Sequence, residues 1–147
     1  MFKKIAVAFC AIMLLSGCSS YNKRCDEVSK HIDQFENNIG DRVFFALAKD
    51  HLSGEAKATL KKQAEWLNTN TTFNVVVEGH CDERGTREYN IALGERRAHR
   101  VKYFLIQNGV NSSRIETVSY GKERPAVIGS NEDAWSQNRR AVVSIAK

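Results

Sequence analysis

A strand, a turn and a helix cap follow one another in residues 73–86, which read FNVVVEGHCDERGT. One apolar face of the strand recurs at every second position, at Phe73, Val75 and Val77. The chain then turns, and Gly85 can close this turn because glycine adopts positive φ at no steric cost. Thr86 is a suitable cap for a long helix that stops at Gly109. The segment therefore predicts a strand that leads through a tight turn into a helix.

Further strands and helices are predicted on both sides of this unit. Ser53 can cap a helix whose apolar line is Ala56, Leu60, Ala64 and Leu67. The remaining elements are strands at Arg42–Leu47, Arg114–Tyr120 and Ala141–Ile145 and one helical turn at Glu132–Gln137. Strands that alternate with helices favour right-handed crossovers and a sheet covered by helices. The predicted class is α/β.

The amino-terminal end has the pattern of an export signal. Lys3 and Lys4 precede an apolar run, Ile5–Leu15, that is shorter than the ~20 residues of a membrane-spanning helix. The run ends in Leu15-Ser16-Gly17-Cys18, which resembles a bacterial lipoprotein box in which the Cys18 thiol receives the lipid. Ser19 after that cysteine is typical of lipoproteins sorted to the outer membrane. The alternative is an ordinary secretion signal that a cysteine happens to follow.

These patterns divide the chain into three parts. We expect a signal peptide at 1–17, a lipid anchor with a linker and a short helix at 18–40, and one folded domain at 41–147. The linker is polar, from Ser19 to Arg24. The helix would begin at Asp26 and end at Gly40, with an apolar stripe that packs on the domain. The stripe consists of Val28, Ile32, Phe35 and Ile39, with Cys25 on the same side.

The charge and the cysteines limit the function classes. The formal net charge of +5 falls to +3 when Lys3 and Lys4 leave with the signal. The basic run from Arg96 to Lys102 is more simply a solvated helix face than a nucleic-acid site. Only two thiols, Cys25 and Cys81, stay unmodified after export and acylation, and they either pair in an oxidising compartment or stay free.

Asp82 and Arg97 are the candidate functional pair. Arg97 interrupts an apolar helix stripe formed by Leu93, Val101 and Phe104, so its guanidinium is partly desolvated and needs an anionic partner. Asp82, just past the strand end, is a plausible neighbour. Two interpretations stay open: the two form a structural salt bridge, or both face a groove and bind a zwitterion by charge-assisted hydrogen bonds.

Four motifs in order resemble the OmpA-like peptidoglycan-binding family. They are residues 77–86 (VEGHCDERGT), 89–98 (YNIALGERRA), 118–123 (VSYGKE) and 138–142 (NRRAV), and the resemblance covers about residues 42–146. It implies a two-layer fold with a mixed four-stranded sheet covered by helices. It also implies a non-enzymatic role in which the protein binds the peptide stem of peptidoglycan without a cofactor, and a partnership with the periplasmic protein TolB.

The resemblance assigns roles to individual residues. The positions that match Asp82 and Arg97 hold the diaminopimelate of the stem, and those that match Arg84 and Leu93 line the same groove. The first strand-to-helix loop, with Leu47 and Ala48, also belongs to this expected site. The family usually has aspartate where this chain has Ala48 and threonine or alanine where it has Cys81.

Two other functional classes compete with this interpretation. One is a cell-wall enzyme or redox protein that uses Cys81 as a thiol, and the other is an interaction module that binds TolB but not the wall. A metal site is disfavoured, because adjacent His80 and Cys81 have poor ligand spacing and no Cys-x-x-Cys or His-Glu-x-x-His motif is present.

Overall fold

The computed structural model describes residues 16–146, with side chains from Lys23 onward. Most of the predicted signal peptide, including Leu15, lies outside the described residues, as does the side chain of Cys18. The helices are α1 (Ser16–Asp33), α2 (Gly54–Thr69), α3 (Arg87–Gln107) and α4 (Glu132–Asn138). The strands are β1 (Arg42–Phe44), β2 (Asn74–His80), β3 (Ile115–Gly121) and β4 (Arg140–Ala146). A π-helix, Gln34–Gly40, continues α1, and a 3₁₀ turn, Ser112–Arg114, precedes β3.

The four strands form one mixed sheet in the order β1-β4-β2-β3. Strands β2 and β3 are parallel and α3 connects them, whereas β4 is antiparallel to both β1 and β2. The α/β class and the mixed four-stranded sheet are confirmed. Because β2 is an interior strand, the turn that follows it lies at one end of the strands, between the neighbouring strands β4 and β3.

The core lies between the sheet and helices α2 and α3. Val75 and Val77 project from β2 into this layer and are almost fully buried. The same buried cluster includes side chains of α2 and α3, among them Leu60, Leu67, Val101 and Leu105. Each fully buried side chain of this size contributes about 1.5–3 kcal/mol of transfer free energy. The predicted inward face of β2 is confirmed.

Both predicted helix caps are present. The Ser53 hydroxyl accepts a hydrogen bond from the Ala56 amide at 3.1 Å, and the Thr86 hydroxyl accepts one from the Tyr89 amide at 3.2 Å. Gly85 has φ +91°, so the turn before α3 uses the conformation that glycine adopts without strain. The start of α3 is therefore fixed directly beside the end of β2.

Two predicted boundaries are wrong. The first strand ends at Phe44 instead of Leu47, because the Phe45 amide makes the last sheet-like bond, to the Arg139 carbonyl, and the chain then turns at Ala46. The predicted polar linker is helical, since α1 already includes residues 19–24 and does not begin at Asp26. No proline or glycine interrupts residues 19–24, so nothing there stops a helix.

The amino-terminal helix joins the domain at the amino end of β2. The Phe35 ring is fully buried and lies 5.0 Å from the ring of Trp66. The His31 ring packs on the same tryptophan and on Phe73, the residue before β2. The distances between ring centres are 6.2 Å to Trp66 and 5.8 Å to Phe73. The expected packing is thus confirmed for Phe35, while Val28 is 40% exposed and Cys25 is exposed as well. Within residues 16–146, no helix has the length and apolar character needed to cross a membrane.

Candidate ligand-binding site

A small pocket lies at the carboxyl end of β2. It is bounded by the turn after β2, the first turns of α3 and the loop after β1, and its space, including the open mouth, is about 250 Å³. Every residue that the sequence assigned to the site lines it: Leu47, Ala48, Asp82, Arg84, Leu93 and Arg97. Four further residues complete the lining: Cys81, Tyr89, Asn90 and Arg139.

Asp82 is buried, and its carboxylate is held by two arginines. Arg84 donates to it from Nη2 at 2.6 Å, from Nε at 3.2 Å and from its backbone amide at 3.1 Å. Arg139 adds a longer bond from Nη1 at 3.4 Å. Burial raises the pKa of Asp82, but the hydrogen bonds and charge of Arg84, together with Arg139, outweigh it and hold the pKa below its usual value. Asp82 is therefore an ionised carboxylate at neutral pH.

Arg97 is fully buried, and three main-chain carbonyls hold its guanidinium. Its Nε donates to Lys49 at 2.8 Å, its Nη1 to His80 at 2.7 Å and its Nη2 to Ala46 at 3.2 Å. The guanidinium also lies 4.9 Å from the centre of the Phe45 ring. Burial lowers the pKa of Arg97 from its usual value, but an arginine stays charged at neutral pH. This cation has no carboxylate partner among the bonds described.

Of the two interpretations left open for Asp82 and Arg97, the direct salt bridge between them does not form. Asp82 is paired with Arg84 and Arg139, and Arg97 with backbone carbonyls of the loop after β1 and of β2. Both side chains nevertheless line the same pocket. The physical reason is that Arg84 follows Asp82 by two residues, and the turn folds its guanidinium back onto the carboxylate.

Arg139 is the main residue that the sequence prediction missed. It is almost fully buried, and it donates to the Phe45 carbonyl at 3.0 Å and to the carboxylate of Glu132 as well as to Asp82. From its position between α4 and β4 it thereby connects the loop after β1 to α4. The available signal was the adjacent pair Arg139 and Arg140 at the start of an apolar strand. An arginine there is expected to be partly buried, and a buried arginine needs several acceptors.

Asn90 fixes the turn on which Asp82 and Arg84 lie. Its side-chain Nδ2 donates to the Arg84 carbonyl at 2.8 Å and to the Thr86 carbonyl at 3.0 Å. Its main-chain carbonyl accepts a hydrogen bond from the Cys81 thiol at 3.3 Å. The site is thus held in shape by bonds within one turn and the following helix.

The two cysteines are free, and they differ in exposure. Cys81 is buried, and that burial raises the pKa of its thiol, whereas Cys25 is exposed on α1. The suggested pairing of these cysteines is therefore absent. A nucleophilic thiol is favoured by exposure and by a lowered pKa, and Cys81 has neither. Among residues 16–146 there is also no cluster of three or more histidine, cysteine, aspartate or glutamate side chains that can hold a metal.

Ala48 has an unusual backbone conformation at the pocket rim. Its φ is +54°, and it is the one non-glycine residue in the described part of the chain with positive φ. Leu47 beside it is 54% exposed. The loop after β1 therefore presents an apolar side chain and a strained backbone to the pocket mouth.

The OmpA family model matches residues 44–139, a range that includes the whole pocket. The chain belongs to the OmpA family. It is 43% identical to a peptidoglycan-associated lipoprotein of Mesorhizobium japonicum over 153 residues, which cover 97% of this chain and 91% of that protein. It is 50% identical to the protein of that name in Brucella melitensis over 108 residues, covering 74% of this chain but 64% of the relative.

Two solved structures share the fold. The crystal structure of the peptidoglycan-associated lipoprotein from Burkholderia pseudomallei superimposes with a TM-score of 0.70 at 37% identity, over 72% of this chain and 90% of that one. The carboxy-terminal domain of Helicobacter pylori MotB has a TM-score of 0.68 at 23% identity, over 73% and 84% of the two chains, which is a likeness of fold alone.

Proposed function

We propose that this protein is an outer-membrane lipoprotein of the Tol–Pal system that binds the diaminopimelate-containing peptide stem of peptidoglycan non-covalently. In this role it links the outer membrane to the cell wall and supports envelope integrity and cell division. The names of the relatives support wall binding, and the charged pocket supports a zwitterionic ligand. No bond of the ligand is made or broken, so the protein is not an enzyme.

The unsatisfied donors of Arg97 carry the proposal. A guanidinium has five N–H groups, and the three carbonyls use one each on Nε, Nη1 and Nη2. One N–H on each terminal nitrogen therefore has no oxygen acceptor among the hydrogen bonds described. Two such N–H groups match the two oxygens of a carboxylate, which is the bidentate contact that arginine makes best. Arg97 is held rigidly for this contact before any ligand arrives.

Asp82 supplies the opposite charge of the same pocket. Its carboxylate is ionised and buried, so a ligand ammonium that reaches it forms a charge-assisted hydrogen bond in a weakly screened environment. The distal end of diaminopimelate carries an ammonium and a carboxylate on one carbon, and this pair is the ligand group that Asp82 and Arg97 fit together. Leu93, Leu47 and Ala48 line the walls along which its methylene chain would lie.

The position of the amino-terminal helix supports a bridging role. Its aromatic contacts are at the amino end of β2, whereas Asp82 follows the carboxyl end. The seven residues of β2 separate these ends by roughly 20 Å. A lipid on Cys18 at the far end of α1 would thus leave the pocket facing away from the membrane, towards the wall. The 18 residues of α1 span roughly 27 Å when helical.

TolB is the proposed protein partner, on the strength of the family resemblance. A pull-down of purified TolB with the full chain in detergent micelles tests it, with and without added muropeptide. Capture in both samples shows independent sites, and capture only without muropeptide shows that wall and TolB compete. Absence of capture in both removes TolB from the proposal and leaves wall binding intact.

Sedimentation with purified sacculi tests the proposed function. The full chain in detergent should co-sediment with diaminopimelate sacculi, and Asp82→Asn should release most of it. Arg96→Gln is the matched control, because Arg96 neighbours Arg97 on α3 but its side chain is 51% exposed and lies 3.9 Å from Asp50 instead. Equal sedimentation of all three proteins would reject the assigned site, and no sedimentation of the wild type would reject wall binding.

A further inference from the structure

The carboxylate of Asp82 has no acceptor position left for a ligand. An ionised carboxylate offers about four lone-pair sites. Its Oδ1 accepts from the amide and Nε of Arg84, and its Oδ2 accepts from Nη2 of Arg84 and Nη1 of Arg139. An ammonium can therefore reach Asp82 only if one of these donors leaves.

The two arginines differ in how firmly they are held. The Arg139 side chain is 8% exposed and has two further acceptors, the Phe45 carbonyl and Glu132. The Arg84 side chain is 34% exposed, and Asp82 is its one side-chain hydrogen-bond partner among the bonds described. Its guanidinium lies 4.0 Å from the centre of the Trp135 ring, a surface along which it can move while it keeps a cation–π contact. Arg84 is the donor that can leave.

The charge balance of the pocket points the same way. Asp82 is one anion among three cations, Arg84, Arg97 and Arg139, that line the pocket with it. A further cation is repelled unless one arginine withdraws. A ligand that carries only a carboxylate can bind Arg97 and leave Arg84 in place, whereas a zwitterion gains from displacing it.

We propose that Arg84 is a built-in occupant of the ammonium subsite, which the ligand displaces from Asp82 while the guanidinium keeps its contact with the Trp135 ring. This inference rests on the proposed function and deepens it. Arg84 then acts as a specificity residue: it keeps the buried carboxylate paired when the pocket is empty, and it admits only ligands whose ammonium competes successfully for Asp82.

Calorimetric titration of the full chain in detergent with a diaminopimelate tripeptide stem tests the displacement. Arg84→Ala removes the competitor while Asp82 keeps Arg139, so this variant should bind the stem about 2- to 5-fold more tightly than wild type, the range expected for loss of a partly exposed ion pair. With a stem whose distal amine is acetylated, wild type and Arg84→Ala should bind equally. Arg87→Ala is the matched control, because Arg87 is exposed and pairs with Glu123 outside the pocket.

Fluorescence supplies a second readout that a merely structural role would not move. Stem binding should change the Trp135 emission of wild type, measured with Trp66→Phe to remove the other tryptophan, and should change it far less in Arg84→Ala. Weaker stem binding by Arg84→Ala, with Asp82→Asn also weak, would overturn the displacement and leave the proposed function standing. Absence of stem binding by the wild type would overturn both.

Discussion

Gly79 of β2 lies against Gly94 of α3 so closely that a Cβ on Gly79 would be 1.8 Å from the Gly94 carbonyl oxygen. Arg97, three residues after Gly94, donates to the carbonyl of His80, the residue after Gly79, at 2.7 Å. The two glycines therefore allow α3 and β2 to approach closely beside the pocket.

We expect Gly79→Ala to lower the free energy of unfolding by about 3 kcal/mol or more, because the methyl group meets a backbone atom that cannot move aside. Gly54→Ala is the control, since nothing lies within 4 Å of its Cβ and alanine favours the start of α2. Urea denaturation of both variants measures the difference. Equal stability of the two would show that helix and strand separate at little cost.

The backbone at Ala48 predicts a stabilising substitution. A φ of +54° is unfavourable for alanine and is tolerated better by asparagine. Ala48→Asn should therefore raise the free energy of unfolding by up to about 1 kcal/mol. Ala46→Asn, in the same exposed loop but without positive φ, should give no gain in the same denaturation experiment. A gain at both positions would refer the effect to the asparagine side chain and not to the backbone.

His80 predicts how stability depends on pH. Burial, followed by the charge of Arg140, lowers the pKa of His80 from 6.5 to about 4, against the opposing effect of Glu78. The unfolded chain thus binds a proton at a higher pH than the folded chain does. The contribution of neutral His80 is complete above about pH 6.5 and is lost as the pH falls towards 4, by roughly 3 kcal/mol in total.

Thermal unfolding between pH 7 and pH 4 measures this loss in the wild type, His80→Gln and His99→Gln. His80→Gln should have a clearly flatter pH dependence. His99→Gln should match the wild type, because His99 is exposed on α3. If the unfolding temperature of His80→Gln depends on pH as steeply as that of the wild type, the acid sensitivity belongs to other groups.

Much of the fold and of the site was predictable because the deciding signals are local. The alternation in β2, the caps at Ser53 and Thr86 and the positive φ of Gly85 each depend on neighbours in the chain. The pairing of Asp82 was not predictable in this way. It depends on the turn that brings Arg84 onto the carboxylate and on Arg139, which comes 57 positions later, between α4 and β4.

The same reasoning explains the errors at the amino-terminal side. A run of polar residues at 19–24 is compatible with both a linker and an exposed helix, and composition does not distinguish them. The apolar residues 43–47 are compatible with a strand up to Leu47, but the turn from Ala46 to Lys49 ends the pairing earlier. The hydrogen-bond partners of Arg97, in contrast, lie 17 to 51 positions away in the chain and belong to no local pattern.

The cysteines give a prediction about thiol reactivity. Cys25 is exposed and Cys81 is buried with its thiol bonded to the Asn90 carbonyl, so alkylation under native conditions should modify Cys25 and spare Cys81. Both should react after denaturation without a reductant. Peptide mapping by mass spectrometry assigns the sites, and Cys81→Ser identifies the slow one. Protection of both thiols until a reductant is added would instead demonstrate the disulfide.

The two-charge pocket predicts selectivity between stem peptides. Diaminopimelate and lysine stems share the distal amine, but only diaminopimelate carries a carboxylate on the same carbon. With a lysine stem the two available N–H groups of Arg97 stay unpaired. Losing one charge-assisted partner costs about 1.5–3 kcal/mol, which is about a 10- to 150-fold loss of affinity. Arg97→Lys should not restore the preference, because an ammonium cannot make the planar bidentate contact.

Calorimetric titration of the full chain in detergent with matched diaminopimelate and lysine tripeptide stems tests the central claim most directly. The wild type and the Arg96→Gln control should prefer the diaminopimelate stem by at least about 10-fold. In Arg97→Lys, with the fold verified by circular dichroism, that preference should collapse to near unity. Equal affinity of the wild type for the two stems would contradict the account and return Arg97 to a purely structural role.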